Sequence, residues 1–189
     1  MGGKWTSFRS QGEETVDLIL KDNPDLFKDT LKYETGQTLN FNLIGSYSKN
    51  EIITGLKLQP EKLFEQYEDY FVFERKIPRD IAKHLVKTYG TTSLRIVEAG
   101  DKDGRNTKRL HDDFPFVESE VLFGIKNEMV VKPNDIVCRR VPISFIDSEV
   151  AKEKVLPSIV DMMGKELGWN QERKTKELNE AIEGLATMK

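Results

Sequence analysis

The sequence is poor in the residues that build compact chemical sites. Among 189 residues it has one cysteine, Cys138, and two histidines, His84 and His111. A single thiol excludes an internal disulfide, and so few Cys and His ligands exclude the usual zinc cages. No G-x-G-x-x-G turn occurs anywhere, so the strand, glycine turn and helix that seat a dinucleotide pyrophosphate are missing from this stretch. No apolar run approaches the roughly 20 residues of a spanning helix. Met1-Gly2-Gly3-Lys4 has no apolar stretch behind its charge and so does not read as a secretory signal. Excess charge of one sign is also lacking: 29 basic residues face 32 acidic ones, for a net charge of −3. With no long basic run, nucleic acid is excluded as a main partner.

What is present is a strongly charged globular composition, 38% hydrophobic and 32% charged, with Leu, Ile, Val and Phe frequent throughout. The spacing predicts a mainly α chain. A first helix is expected over 7–21, with Phe8, Gly12, Thr15, Val16 and Ile19 on one face. Thr6 or Ser7 is placed to cap it, and Asn23-Pro24 to end it. Thr38 to Ile44 alternates polar and apolar residues and reads as a short extended segment ending at Gly45. A helix over 60–71 should turn Leu63, Phe64, Tyr67 and Phe71 to one side.

From Pro78, suited to a first helical position, Ile81, Ala82, Leu85, Val86 and Tyr89 form a stripe that Gly90 closes. Further helices are expected over 93–99, 117–129 and 134–140, separated by a charged loop over 101–113. A long helix should start at an Asp147 or Ser148 cap and bend at Pro157, because proline removes one internal hydrogen bond. Gly168 ends it. A last helix over 170–186 turns Leu178, Ala181, Ile182 and Leu185 inward.

Several clusters invite a chemical reading. Gly2-Gly3-Lys4 stands just before the first helix, where small residues admit close backbone approach and the helix start attracts anionic or electron-rich groups. An ordinary helix behind an expression scar is the competing reading. The run from Asp101 to Asp112 fails as a calcium loop: Asn106 and Asp112 stand where glycine and glutamate are needed. For His84 and His111 a structural role outweighs general-base work. Arg139-Arg140 reads as a structural ion pair, with Glu118 and Glu120 as candidate partners. Cys138 reads as a core residue. The helix pair around Gly90 has too little positive charge for DNA.

Taken in order, these residues resemble one family. Gly2-Gly3-Lys4-Trp5-Thr6 through Arg9, followed by Glu13 to Asp17, is similar to the segment that closes the FAD-binding domain of FAD-dependent glycerol-3-phosphate dehydrogenases. His84-Leu85 with Tyr89-Gly90 resembles the first motif of that family's helical C-terminal domain. Leu110-His111 through Phe116 with Glu120-Val121 resembles the second. Asp135 through Arg140 with Ser144 to Asp147 resembles the third, and Leu156-Pro157 through Met163 with Leu167-Gly168-Trp169 the fourth. The family's usual Thr-Thr-Tyr-Arg run is Thr6-Ser7-Phe8-Arg9 here.

The resemblance implies a helical C-terminal cap domain of a flavin dehydrogenase, preceded by the last loop and helix of its FAD-binding domain. The implied division is 1–22 for that loop and helix, 23–76 for a connector or insertion, and 77–189 for the helical domain. It implies a C-terminal piece of an enzyme that oxidises sn-glycerol 3-phosphate to dihydroxyacetone phosphate and passes electrons through FAD to quinone. Gly2, Gly3, Lys4, Trp5 and Thr6 would line FAD, with Lys4 beside the ring and the substrate; no metal is implied. The remaining FAD-binding domain would be a partner, and the parent would sit peripherally on the inner mitochondrial membrane, facing the intermembrane space, or on the bacterial cytoplasmic membrane. The piece alone is expected to be inactive. A free-standing helical interaction module and a piece of a related glycerol-3-phosphate oxidase are the alternatives.

Overall fold

A computed structural model describes residues 4–27, 38, 41–46, 52–53, 56–57 and 62–187. The chain divides into two compact units, residues Met1–Leu43 and Ile44–Lys189. The expected mainly α fold is present.

In the first unit a 3-10 turn over Trp5–Ser7 leads into α1 (Phe8–Asp22), and α2 (Pro24–Phe27) follows after Asn23. Ser7 occupies the capping position but its side chain does not cap. Its hydroxyl donates to the Lys4 carbonyl at 2.9 Å and accepts from the Gln11 amide at 2.6 Å. No residue of α1 is buried, and Phe8, Val16 and Ile19 of the expected stripe face outward.

The second unit is a helical body with a small β-hairpin, β1 (Ile52–Ile53) antiparallel to β2 (Leu56–Lys57), which the sequence reading does not anticipate. Residues 41–43 of the segment expected over 38–44 carry no strand pairing, and the chain turns at Ile44-Gly45, with Gly45 at φ +84°, where that segment is expected to end. Helix α3 (Leu63–Asp69) runs into a π-helical turn over Tyr70–Glu74. Tyr67 and Phe71 are buried as expected, whereas Phe64 is exposed. Pro78 sits one position before α4 (Arg79–Tyr89) rather than inside it, with extended ψ of 138°. Helix α5 (Ser93–Gly100) follows a 3-10 turn over Gly90–Thr92. Tyr67, Phe71, Ile81, Leu85, Ile96 and Val97 meet Val117 and Phe123 in one core cluster.

Helix α6 (Glu118–Asn127) is buried over most of its length and joins this cluster to a second one. The second cluster packs Val121 and Leu122 against α7 (Pro133–Asp135) with its π turn Ile136–Arg140, α8 (Ile143–Ile146), and the long helical run over 148–167. That run is α9 (Ser148–Val150), a π turn over Ala151–Val155, and α10 (Leu156–Leu167). Asp147 caps it, accepting the Val150 amide at 3.0 Å. Pro157 stands two residues past the widened turn: the π geometry absorbs the register change that a residue without N–H imposes on the turn before it. Gly168 ends α10 at φ +70°. Asn170 then caps α11 (Gln171–Ala186), which buries Ala181 and Leu185, with Leu178 and Ile182 packed alongside.

Candidate functional site

Two places concentrate the residues singled out from the sequence. The first is the start of α1. Lys4 precedes the 3-10 turn with extended backbone, φ −77° and ψ 144°, and its carbonyl accepts the Ser7 amide at 3.0 Å. Lys4 and Thr6 are exposed, and Trp5 is 93% exposed. Gly2 and Gly3 lie outside the described residues. Arg9, partly exposed, is engaged within this unit. It donates to the Thr38 hydroxyl at 2.7 Å and to Glu13 at 3.3 Å, while Glu13 accepts the Thr38 amide at 3.1 Å. Those bonds, the Thr38 amide first, hold the Glu13 carboxyl below the usual carboxylate range.

The chemistry offered here is an ammonium, an indole face and backbone donors at a helix start. That set fits one edge of a flavin, an electron-accepting planar ring that gains negative charge on reduction. Among the described residues it provides one wall and no enclosure.

The second place lies inside the helical body. The Tyr89 hydroxyl donates to Glu120 Oε1 at 2.8 Å, and His84 Nε2 meets the same oxygen at 2.8 Å. Glu120 Oε2 accepts the Val117 amide at 2.7 Å. Glu120 therefore serves its own helix start, because a glutamate at the third helical position reaches back to the capping residue's N–H. With a carboxylate as acceptor, Nε2 of His84 carries the hydrogen. Its Nδ1 stands 3.3 Å from the Thr88 hydroxyl. Phe116 closes the group, edge-on to His84 at 4.9 Å between ring centres. Burial first, and the Glu120 carboxylate second, push the Tyr89 phenol far above its ordinary value of 10, so it remains a donor. The group links α4, the loop before α6, and α6 itself.

This arrangement corrects one expectation. Arg139 and Arg140 do not pair with Glu118 or Glu120. Arg139 pairs with Asp135 one turn back at 3.0 Å, and Arg140 reaches Glu128 at 2.6 Å. Glu120 is committed to Tyr89, His84 and Val117, and Glu118 to Lys108 at 2.7 Å. His111 has a structural place beside Phe114. Cys138 is partly buried against the second core cluster, its sulfur 3.6 Å from the Ser144 hydroxyl.

The sequence reading missed Glu177. Its side chain is fully buried, yet it pairs with Lys132 at 3.2 Å and with Arg173 at 2.5 Å. The four-residue spacing of Arg173 and Glu177 was the available signal. Among the described residues no group of His, Cys, Asp and Glu could hold a metal ion, and no helix is long and apolar enough to cross a membrane.

The helical body is thus a packed domain stapled by a buried carboxylate, with an open cationic and aromatic helix start ahead of it in the chain. Comparison with known proteins identifies the class. Residues 36–174 match the model of the C-terminal domain of alpha-glycerophosphate oxidase, and the chain belongs to that family. Among individual relatives, the probable mitochondrial glycerol-3-phosphate dehydrogenase of Dictyostelium discoideum is 34% identical over 188 residues, covering 100% of this chain and 26% of the relative. The mitochondrial glycerol-3-phosphate dehydrogenase of Mus musculus is 32% identical over 184 residues, covering 95% and 22%. That of Arabidopsis thaliana is 31% identical over 189 residues, covering 100% and 29%. The chain therefore spans about a quarter of the length of these relatives and corresponds to their C-terminal portion. No solved structure matches.

Proposed function

We propose that the chain is the C-terminal portion of a flavoenzyme that oxidises sn-glycerol 3-phosphate to dihydroxyacetone phosphate and delivers the electrons through FAD to quinone. The observation that carries this reading is similarity along the whole chain to several glycerol-3-phosphate dehydrogenases. Residues 1–22 close the flavin site and residues 77–189 form the cap, and the intervening stretch 23–76 contributes Tyr67 and Phe71 to the cap's core. Gly2, Gly3, Lys4, Trp5 and Thr6 hold the cofactor edge. The flavin, when bound, supplies a hydride acceptor. Lys4 contributes fixed positive charge toward the ring or the substrate phosphate, and the backbone donors of the Trp5–Ser7 turn orient the same edge. The relatives' names place this portion in mitochondria; the finer reading is the inner membrane, intermembrane-space side, with peripheral attachment.

The test is spectroscopic and kinetic. The full reading frame should purify yellow and reduce a quinone analogue with glycerol 3-phosphate, whereas the 189-residue chain should do neither. Lys4→Ala in the full protein should lower kcat/KM by about 10²-fold. A flavin-bearing, active 189-residue chain sinks the proposal, as does a full protein indifferent to glycerol 3-phosphate.

A second reading is favoured by the matched family's description, which names an oxidase. In that case the full protein passes electrons to oxygen. Peroxide formation that matches substrate consumption, with no quinone reduction, would decide for it.

A further inference from the structure

The loop between α5 and α6 carries an arginine whose donors are unused. The Arg105 side chain is only 12% exposed, yet it makes no hydrogen bond with any described residue. Its nearest carboxylates stand beyond hydrogen-bonding reach, Asp103 at 3.6 Å and Glu118 and Glu166 each at 3.8 Å. Two of them are claimed by lysines that stand closer: Glu118 by Lys108 at 2.7 Å, and Glu166 by Lys126 at 3.4 Å. A guanidinium offers five N–H donors, and leaving them without acceptors in a nearly buried place is costly. The fold nevertheless holds Arg105 there. Its amide donates to the Gly100 carbonyl at 2.9 Å, and its carbonyl accepts the Ser119 amide at 3.2 Å. The loop packs this closely because residue 100 has no side chain: a Cβ there would lie 2.5 Å from the Asn106 nitrogen.

Arg105 lines a cavity of about 630 Å³, a size usual for small-molecule sites. Lys108 stands beside it on the loop wall. Helix α10 forms the facing wall with Ser158, Met162 and Lys165, which share one helix face at spacings of four and three. The Ser158 hydroxyl and the Lys165 ammonium have no partner among the described residues. The walls also carry carboxylates. Asp161 pairs with Lys174 at 3.0 Å, and Asp103 is largely exposed. The cavity therefore combines cationic donors that lack acceptors with carboxylates that can accept further hydrogen bonds.

We propose that this cavity binds a sugar or polyol monophosphate, with its phosphate against Arg105, Lys165 and Ser158 and its hydroxyls donating to Asp103 and Asp161. A planar guanidinium presents paired N–H groups to two phosphate oxygens, and an ammonium and a hydroxyl add donors to the same group. The carboxylates narrow the class. They accept hydrogens from hydroxyl groups, and they repel a second phosphate, so a di- or triphosphate meets like charge in the same walls. Met162, largely buried, offers the carbon skeleton an apolar contact.

Calorimetric titration of the 189-residue chain with glucose 6-phosphate, inorganic phosphate and tripolyphosphate tests this. Glucose 6-phosphate should bind with a Kd at or below about 1 mM. It should bind at least about threefold more tightly than either inorganic phosphate or tripolyphosphate. Arg105→Gln should weaken binding about tenfold or more, and Lys165→Gln about threefold. Lys83→Gln, an exposed position on α4, should leave it unchanged. Absence of saturable binding, tighter binding of tripolyphosphate, or a Kd indifferent to Lys165→Gln overturns the proposal. Should Arg105→Gln fail to fold, Arg105→Lys replaces it: the charge stays but the paired donors go, and an unchanged Kd there overturns the proposal as well. No readout involves flavin or turnover, so this outcome and that of the functional reading are separable.

Discussion

Tyr89 and Glu120, 31 positions apart in sequence, share a 2.8 Å hydrogen bond in which the phenol donates to a carboxylate that is 2% exposed. The same carboxylate oxygen meets His84, and the other takes the amide of Val117, the residue that caps α6. One side chain therefore satisfies three donors on two segments, and removing it strands all three in a water-poor interior.

Glu120→Ala should accordingly cost about 3 kcal/mol, Glu120→Gln less, and Tyr89→Phe about 1 kcal/mol. Urea denaturation of the chain checks this. A double-mutant cycle between positions 89 and 120 should show coupling of at least about 0.5 kcal/mol, and additive effects would refute the shared bond.

Two glycines that look alike in the sequence should respond differently to alanine. At Gly90 the new Cβ meets backbone at 2.1 Å and the φ is +57°, so Gly90→Ala should destabilise by about 2 kcal/mol or more. At Gly164 the Cβ would meet the Lys174 side chain at 2.2 Å, and a flexible stem can move aside. Gly164→Ala should cost below about 1 kcal/mol, with loss of the 3.0 Å pair between Lys174 and Asp161. Thermal melts of both variants decide it; comparable losses would contradict the distinction.

The junction of α11 with residue 132 should depend on pH in a defined window. The hydrogen bond from Lys132 holds the Glu180 carboxyl below its ordinary 4.5, and hydrogen bonds to Glu180 and then Glu177 hold the Lys132 ammonium above its ordinary 10.5. A depressed carboxyl contributes stability above its unfolded value, lost as pH falls through the folded one. A raised ammonium contributes below its unfolded value, lost as pH rises through the folded one. The stability difference between the natural chain and Lys132→Ala should therefore be flat from about pH 5 to 10 and shrink outside it. A difference that varies within that window would show that other groups hold the junction.

Releasing Thr38 gives a fourth outcome. Glu13→Gln keeps a weaker acceptor, whereas Glu13→Ala removes both the acceptor and the ion pair with Arg9. Exchange at the Thr38 amide should be fastest in Glu13→Ala and intermediate in Glu13→Gln. Identical rates in all three chains would mean that α1 does not hold this residue.

What the sequence made legible was the apolar side of the fold. The stripe of Ile81, Ala82, Leu85 and Val86 is buried as its spacing demands, because burial repeats at helical period, and so are Val155, Ile159, Met162 and Met163 of the long helix, whereas Leu167, expected inward with them, is 42% exposed. The π turns were hidden, since one inserted residue per turn leaves the apolar pattern almost intact. Pro157 was legible as a disturbance, but not the widened turn over Ala151–Val155 that accommodates it. Buried carboxylates were hidden as well. Glu120 and Glu177 look like solvated charge in a chain this rich in acids, and the partners Tyr89 and Lys132 lie far from them in sequence. At the start of α1 the residue types were legible, but the engagement of Arg9 with Thr38 was not, because it depends on a return of the chain.

The family match stops at residue 174, a few residues into α11, yet that helix goes on to place Ala181 and Leu185 in the second core cluster and Glu177 against Lys132 and Arg173. A boundary drawn where recognisable similarity ends would amputate part of the hydrophobic interior and leave Lys132 without its buried counter-ion. Expression of this domain should therefore be cut no earlier than Ala186, and shortened versions that precipitate would report that missing helix rather than any intrinsic instability of the cap.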